Sequence, residues 1–334
     1  MREIIITKTI TCFILLLNTM FSFGQQFREI IIDVENARPV YLSEISDKVT
    51  PVVLEESPGG IVNGNVLLTS EYLFATSHTS VAQYDLKGKF IRNINCGGHI
   101  SNAASDTIKK ELYVPVGNMI KCYDYSGKLK KEYQFDNSTL YILFNNDHII
   151  VQSYYRQSIN EFIQTISKIK LSTGEIIPLS FSIENERYKV TAGKSRFTRY
   201  NDDVIISYDV DMYLSKIQQE RVIPFVKWNI NPPAKSYKDK NPLKSNGVAG
   251  DYLFINYRRE DQFFIYLENM KTGKKYNASS IVDDVFDTKN SCDLHSLNQT
   301  GYFFFIKDIY EIKGNSIGGK PLKNGPVIFI VKTK

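Results

Sequence analysis

Tryptophan occurs once in this chain of 334 residues, and cysteine and histidine four times each. Cysteines that sparse, at positions 12, 96, 122 and 292, form no zinc knuckle. Sustained amphipathic helical patterns are hard to find, which argues against a helical bundle. Beyond the N-terminus no apolar run approaches the roughly 20 residues that a membrane-spanning helix needs, so no transmembrane segment is expected in the mature chain. The sequence contains no H-E-x-x-H, no G-x-S-x-G, no phosphate-binding Gly loop and no strict calcium loop. Basic residues are not clustered either. The net charge of +5 is spread along the chain and the pI is near 8.7, short of a nucleic-acid footprint, so no nucleic-acid partner is expected.

What the chain does have is aromatic and β-branched content. Its 21 Tyr and 20 Phe lean the intrinsic preferences toward strands. The N-terminus has the layout of a secretory signal peptide: Arg2 and Lys8, an apolar stretch over 10–17, then small residues at Ser22 and Gly24. Residues 1–24 are therefore expected to be removed, with 25–47 a lead-in segment and 48–334 the folded domain. The expected location is exported, in the periplasm or on the cell surface. Cys12 lies within the apolar stretch and not at a cleavage site, so no good lipoprotein anchor is expected from it. Cys96, Cys122 and Cys292 remain. An oxidising compartment permits a disulfide, but a chain this large folds without one, and buried thiols are expected.

Self-similarity sets the fold class. QYDLKGKFIRNI at 83–94 superimposes on CYDYSGKLKKEY at 122–133, matching Tyr84, Asp85, Gly88 and Lys89 to Tyr123, Asp124, Gly127 and Lys128. Asp suits the first position of a type I turn and Gly accepts the positive φ that closes it, so each copy reads as a hairpin. Weaker copies keep Gly174 and Gly273, and the turn glycines stand 39, 47 and 99 residues apart. The last gap holds two periods, with a glycine-free turn expected at Gln218 and Gln219 inside YLSKIQQERVIPFVKW. A period of roughly 40 to 50 residues is that of four-stranded propeller blades. Apolar strands at 71–77, 111–116, 148–155, 203–210, 251–258 and 301–308 mark six blades. The sixth lacks its own Gly-turn hairpin, and VTPVVLE at 49–55 is expected to supply its missing outer strand. The fold class is thus all-β: a six-bladed β-propeller of four-stranded antiparallel blades, closed by an N-terminal strand.

The segment VYLSEISDKVTPVVLEESPGGIV at 40–62, followed by YDLKGKF at 84–90, resembles the six-bladed propeller proteins exported in quantity by Bacteroidetes. Members of that family typically begin with LSEI and a strand ending in PLE. This chain departs in carrying VLEES, where the family usually continues without charge, and in its weak third and fourth turns. The resemblance implies a propeller in the cell envelope. The family has no established common reaction.

In such a ring the loops joining second to third strands share a face with those joining one blade to the next, and the Gly turns lie opposite. The loop face then carries 55–64, 76–80, 95–101, 154–160, 229–250, 258–261 and 308–326. His78 and His99 occupy two loops of one blade, where a His pair can bind a metal or shuttle protons; their Thr, Ser, Gly and Asn neighbours supply no third ligand. Tyr154, Tyr155 and Arg156, and Arg258 and Arg259, supply aromatic faces and guanidinium forks for an anionic or sugar ligand, or are solvated loop residues. The polar stretch 229–247, with Pro232, Pro233 and Pro242, is a functional loop or a disordered one. Asp202, Asp203, Asp209 and Asp211, and Asp283, Asp284 and Asp287, are the densest carboxylates. Either group offers oxygen ligands to calcium, and turns also favour Asp. The expected function is a non-catalytic, monomeric binding module of the envelope, with no cofactor, recognising a glycan, peptide or partner protein on the loop face. The alternative is a calcium-dependent lactonase or lyase-like propeller hydrolase.

Overall fold

The repeated turns fold as their chemistry dictates. Asp85 Oδ1 accepts hydrogen bonds from the backbone N–H groups of Lys87 and Lys89 at 2.8 and 2.9 Å, and Gly88, at φ +88°, donates back to the Asp85 carbonyl. Asp124 does the same for Ser126 and Lys128 around Gly127, at φ +86°. Even the register irregularity repeats, falling before Tyr84 in one copy and before Tyr123 in the other. Asn269 stands in for Asp before Gly273, accepting from Lys271 and Thr272. In the glycine-free copy Gln219 itself takes φ +56°.

A computed structural model describes residues 27–58, 65–158, 161–181, 196–201, 203–207, 213–233, 246–259, 262–297, 301–317, 320–322 and 325–334. The expected signal peptide, most of the 229–250 stretch, and Asp202, Asp209 and Asp211 lie outside the described residues. Six antiparallel sheets follow one another along the chain. Blade 1 comprises Val66–Leu68, Tyr72–Thr76, Ser80–Asp85 and Phe90–Asn95. Blade 2 comprises Ala104–Asp106, Glu111–Val116, Met119–Asp124 and Leu129–Gln134. Blade 3 comprises Ser138–Asn145, His148–Ser158, Glu161–Lys170 and Glu175–Pro178. Blade 4 comprises Arg196–Tyr200, Asp203–Ser207, Tyr213–Gln218 and Arg221–Asn231. Blade 5 comprises Gly247–Ala249, Tyr252–Arg259, Gln262–Asn269 and Lys275–Val282. Blade 6 supplies His295–Ser296, Tyr302–Lys307 and Val327–Thr333, and its fourth strand comes from the N-terminus.

Ring closure is visible in the packing. Each of six apolar clusters lies between two successive blades, because both faces of every sheet are buried against a neighbour. One of them joins the last blade to the first, with Phe304, Ile328 and Ile330 against Leu73, Ala75 and Tyr84. Polar side chains tie the innermost strands as well. Asn102 of blade 2 exchanges two hydrogen bonds with Ile142 of blade 3, and Thr198 Oγ1 of blade 4 accepts from Val248 N of blade 5. The three described cysteines are buried and free. Burial pushes the Cys96 and Cys122 thiols up to about 11 and the Cys292 thiol to about 12.

The N-terminal segment is built into the ring. Strands β1 (Arg28–Asp33), β2 (Arg38–Tyr41) and β3 (Ser46–Val53) join blades 4, 5 and 6 in turn. β3 pairs antiparallel with Val327–Thr333 and completes blade 6 as its outermost strand. β1 and β2 pair parallel with the last strands of blades 4 and 5, giving each a further outer strand. Alternation in β1 sends Ile30 and Ile32 inward beside Trp228, while Ile31 is 71% exposed. Val40 of β2, with Leu42 and Ile45 of the short helix Leu42–Ile45, fills the core between blades 5 and 6. The part expected as a lead-in, 25–47, thus carries two strands and six buried apolar side chains.

Candidate functional site

The loop face holds the residues singled out from sequence, on blades 1, 3 and 5. His78 and His99 are brought together, their exposed rings stacked with centroids 5.8 Å apart and planes 30° off parallel. Backbone bonds from Ile100 N to the His78 carbonyl (2.9 Å) and from Cys96 N to the Thr79 carbonyl (3.0 Å) hold the two loops side by side.

Tyr154 and Tyr155 were expected where the strand 148–155 runs into the loop 154–160, and Arg156 in that loop; the structure corrects the loop assignment. All three lie in the second strand of blade 3, paired with Gln164, Ile163 and Phe162. The side chains of Tyr155 and Arg156 lie outside the described residues. That hairpin is long. Its strands run 11 and 10 residues where those of blade 1 run 5 and 6, so the residues beyond Tyr154 rise above the ring. Arg258 and Arg259 likewise belong to a strand, one of a pair of eight-residue strands in blade 5. The Arg258 guanidinium sits 5.5 Å from the centroid of Phe263, its cross-strand partner, and Arg259 donates to the Pro232 carbonyl at 3.3 Å. Backbone pairing continues through Arg258 because Phe263 opposite it covers the guanidinium with its ring.

The described carboxylates have structural partners. Asp283 Oδ1 accepts from Val285 N and Phe286 N, Asp284 from Ser43, and Asp287 pairs with Lys313, while Asp203 lies 3.7 Å from Lys216. Among the described residues no three His, Cys, Asp or Glu side chains converge as a metal site.

The opposite end of the channel holds a cavity of about 530 Å³ that sequence reasoning missed. Its walls come from the innermost strands and first turns of four successive blades: Leu67 and Leu68, Ala104 and Ser105, Leu143 and Phe144, and Arg199. Arg199 occupies the place in blade 4 that Phe144 occupies in blade 3, two residues before an Asn of positive φ in each (Asn201 and Asn146). It donates through Nη2 to the Phe144 carbonyl, and its guanidinium carbon lies 5.9 Å from the Phe144 ring centroid. Its Nε is buried without a partner, and burial lowers its pKa from the ordinary guanidinium value. The signal in the sequence was a charge, RFTRY, where the neighbouring blade carries phenylalanine.

No protein-family model matches the chain, and no curated protein matches it either. Solved structures do. A Bacteroides fragilis protein named as an exported one superimposes with a TM-score of 0.62 at 13% identity, over 91% of this chain and 100% of its own. A protein of unknown function from Bacteroides thetaiotaomicron gives 0.52 at 11% identity, over 89% and 75%. Hydrazine synthase from Kuenenia stuttgartiensis gives 0.51 at 12% identity, over 75% and 74%. The likeness is one of fold.

Proposed function

We propose that the chain is a non-catalytic binding module exported to the cell envelope, engaging a glycan, peptide or protein partner on its loop face. The observation that supports this is the pair of raised hairpins in blades 3 and 5. They lift Tyr154 and the Arg258–Phe263 pair to the rim of a rigid ring, and an aromatic face beside a guanidinium suits sugar rings and carboxylate-bearing side chains. Rigid blades with a polar rim bind at little ordering cost. The resemblance to exported Bacteroidetes propellers and the fold shared with a B. fragilis protein named as exported support the envelope location. Among the described residues no helix is long and apolar enough to cross a membrane.

The test is quantitative binding of the mature protein to purified envelope glycans and envelope proteins. Tyr154→Ala and Arg258→Ala are each expected to weaken the partner's binding at least tenfold while leaving the thermal midpoint nearly unchanged. Affinity untouched by both substitutions would move the interaction off this face.

A further inference from the structure

The channel-mouth cavity lies at the opposite end from the loop face and stands independently of the partner reading. Its chemistry is asymmetric. Five apolar residues, Leu67, Leu68, Ala104, Leu143 and Phe144, line a space whose one charged wall is Arg199. A guanidinium held away from water is costly unless something negative meets it. The Phe144 carbonyl accepts from its Nη2 but carries no net charge. Among the described residues Arg199 has no carboxylate partner, and its Nε has no hydrogen-bond acceptor.

The neighbouring rim charges cancel. Lys110 pairs with Glu71 at 2.6 Å and Lys109 approaches Asp106 at 3.8 Å, so the lysines of the first turn of blade 2 have carboxylate partners, which Arg199 lacks among the described residues. The hydroxyls divide in the same way. Thr69 spends its proton on the Tyr72 carbonyl and Ser105 is bonded to the Tyr125 hydroxyl, whereas Ser70 and Thr107 line the opening without a protein partner among the described residues. One planar cation, two free hydroxyl donors and an apolar wall make a consistent set. The geometry points to a binding site for an organic monocarboxylate with an apolar body, its carboxylate on Arg199 and its body against Leu67, Leu143 and Phe144. A single cation matches one negative charge better than a phosphate dianion, and the fork geometry of guanidinium matches a carboxylate. A cavity of about 530 Å³ falls within the usual range for small-molecule pockets.

Isothermal titration calorimetry with 3-phenylpropionate, 3-phenyl-1-propanol and inorganic phosphate tests this on the mature chain. The carboxylate is expected to bind at least tenfold more tightly than the alcohol of the same shape, and more tightly than phosphate. Arg199→Gln should lower carboxylate affinity at least tenfold and leave the alcohol unchanged. Thr107→Glu, at an exposed position that the fold does not depend on, should weaken the carboxylate in the same way by repulsion, which keeps the test open if Arg199→Gln fails to fold. Equal affinity for carboxylate and alcohol, carboxylate binding unaffected by Thr107→Glu, or phosphate as the tightest ligand would each overturn the assignment.

Discussion

Gly88 and Gly273 occupy equivalent turns with similar backbone angles, φ +88° and +72°, yet their surroundings differ completely. A Cβ on Gly88 would lie 1.9 Å from the Val53 carbonyl oxygen of β3, whereas a Cβ on Gly273 would meet nothing within 4 Å. Alanine at either position costs roughly 1 kcal/mol for holding an L-residue in left-handed backbone. At Gly88 the turn must also retreat from β3. Retreat strains two bonds across the ring seam, Glu55 N to the Gly88 carbonyl at 2.9 Å and Phe90 N to the Glu55 carboxylate at 3.0 Å. At about 1 kcal/mol per hydrogen bond and about 1–3 kcal/mol for overpacking, added to the backbone term, Gly88→Ala should cost about 4–6 kcal/mol. At about 2–4 °C per kcal/mol, the thermal midpoint by calorimetry should fall by about 2–4 °C for Gly273→Ala and by about 8–24 °C for Gly88→Ala. Equal losses would mean that backbone strain alone governs these turns and that the Gly88 turn does not clamp the closing strand.

Trp228 is the single tryptophan, fully buried and level with Ile30 of β1, so its emission should be blue-shifted in the native protein. Ile30→Ala should red-shift it and cost about 2–5 kcal/mol in a denaturant titration, and an unmoved spectrum would contradict the docking of β1. Burial of Cys96, Cys122 and Cys292 disfavours their thiolates, so native protein at pH 8 should leave all three unreactive toward a disulfide reagent until denaturant is added. The same shifts make stability fall on the alkaline side. Below pH 9, the ordinary thiol value, both states keep their protons; above it the unfolded chain ionises first, so the thermal midpoint should decline from pH 9 as pH approaches the folded values of about 11 to 12.

The parts of the fold that were legible are those written in short-range chemistry. An Asp-x-x-Gly turn declares itself within five residues, and its period located even the turn at Gln219, whose missing glycine the spacing supplied. β3 was found by counting, since blade 6 was one strand short. β1 and β2 escaped because parallel pairing with strands more than 190 residues away needs no turn signal, although Ile30 and Ile32 alternate with Glu29 and Asp33 as a half-buried strand should. Arg156 and Arg259 read as loop residues because exposed charge is normally loop-like. Arg199 escaped for the opposite reason: one arginine among ordinary strand residues has no signature until the ring sets it beside Phe144.

The placement of the Gly turns changes how a site is sought on such a ring. They share an end with the cavity, so the end of a strand alone does not separate structure from function. Distance from the axis does. The Gly turns join third to fourth strands at the periphery, and three of them lean on the outer strand of the blade before: Gly88 on Val53, Gly127 on Ile94, Gly174 on Tyr133, while Gly273 stands clear. Contacts of this kind tolerate little change. The turns joining first to second strands stand at the channel, and they differ from blade to blade in length and chemistry: Thr69 and Ser70 in one, Thr107 to Lys110 in the next, Asn145 to Asp147, then Asn201. Ser70 and Thr107 are exposed. Side chains there are free to be chosen for a ligand, and the guanidinium of Arg199, its Nε without an acceptor among the described residues, lies beside them.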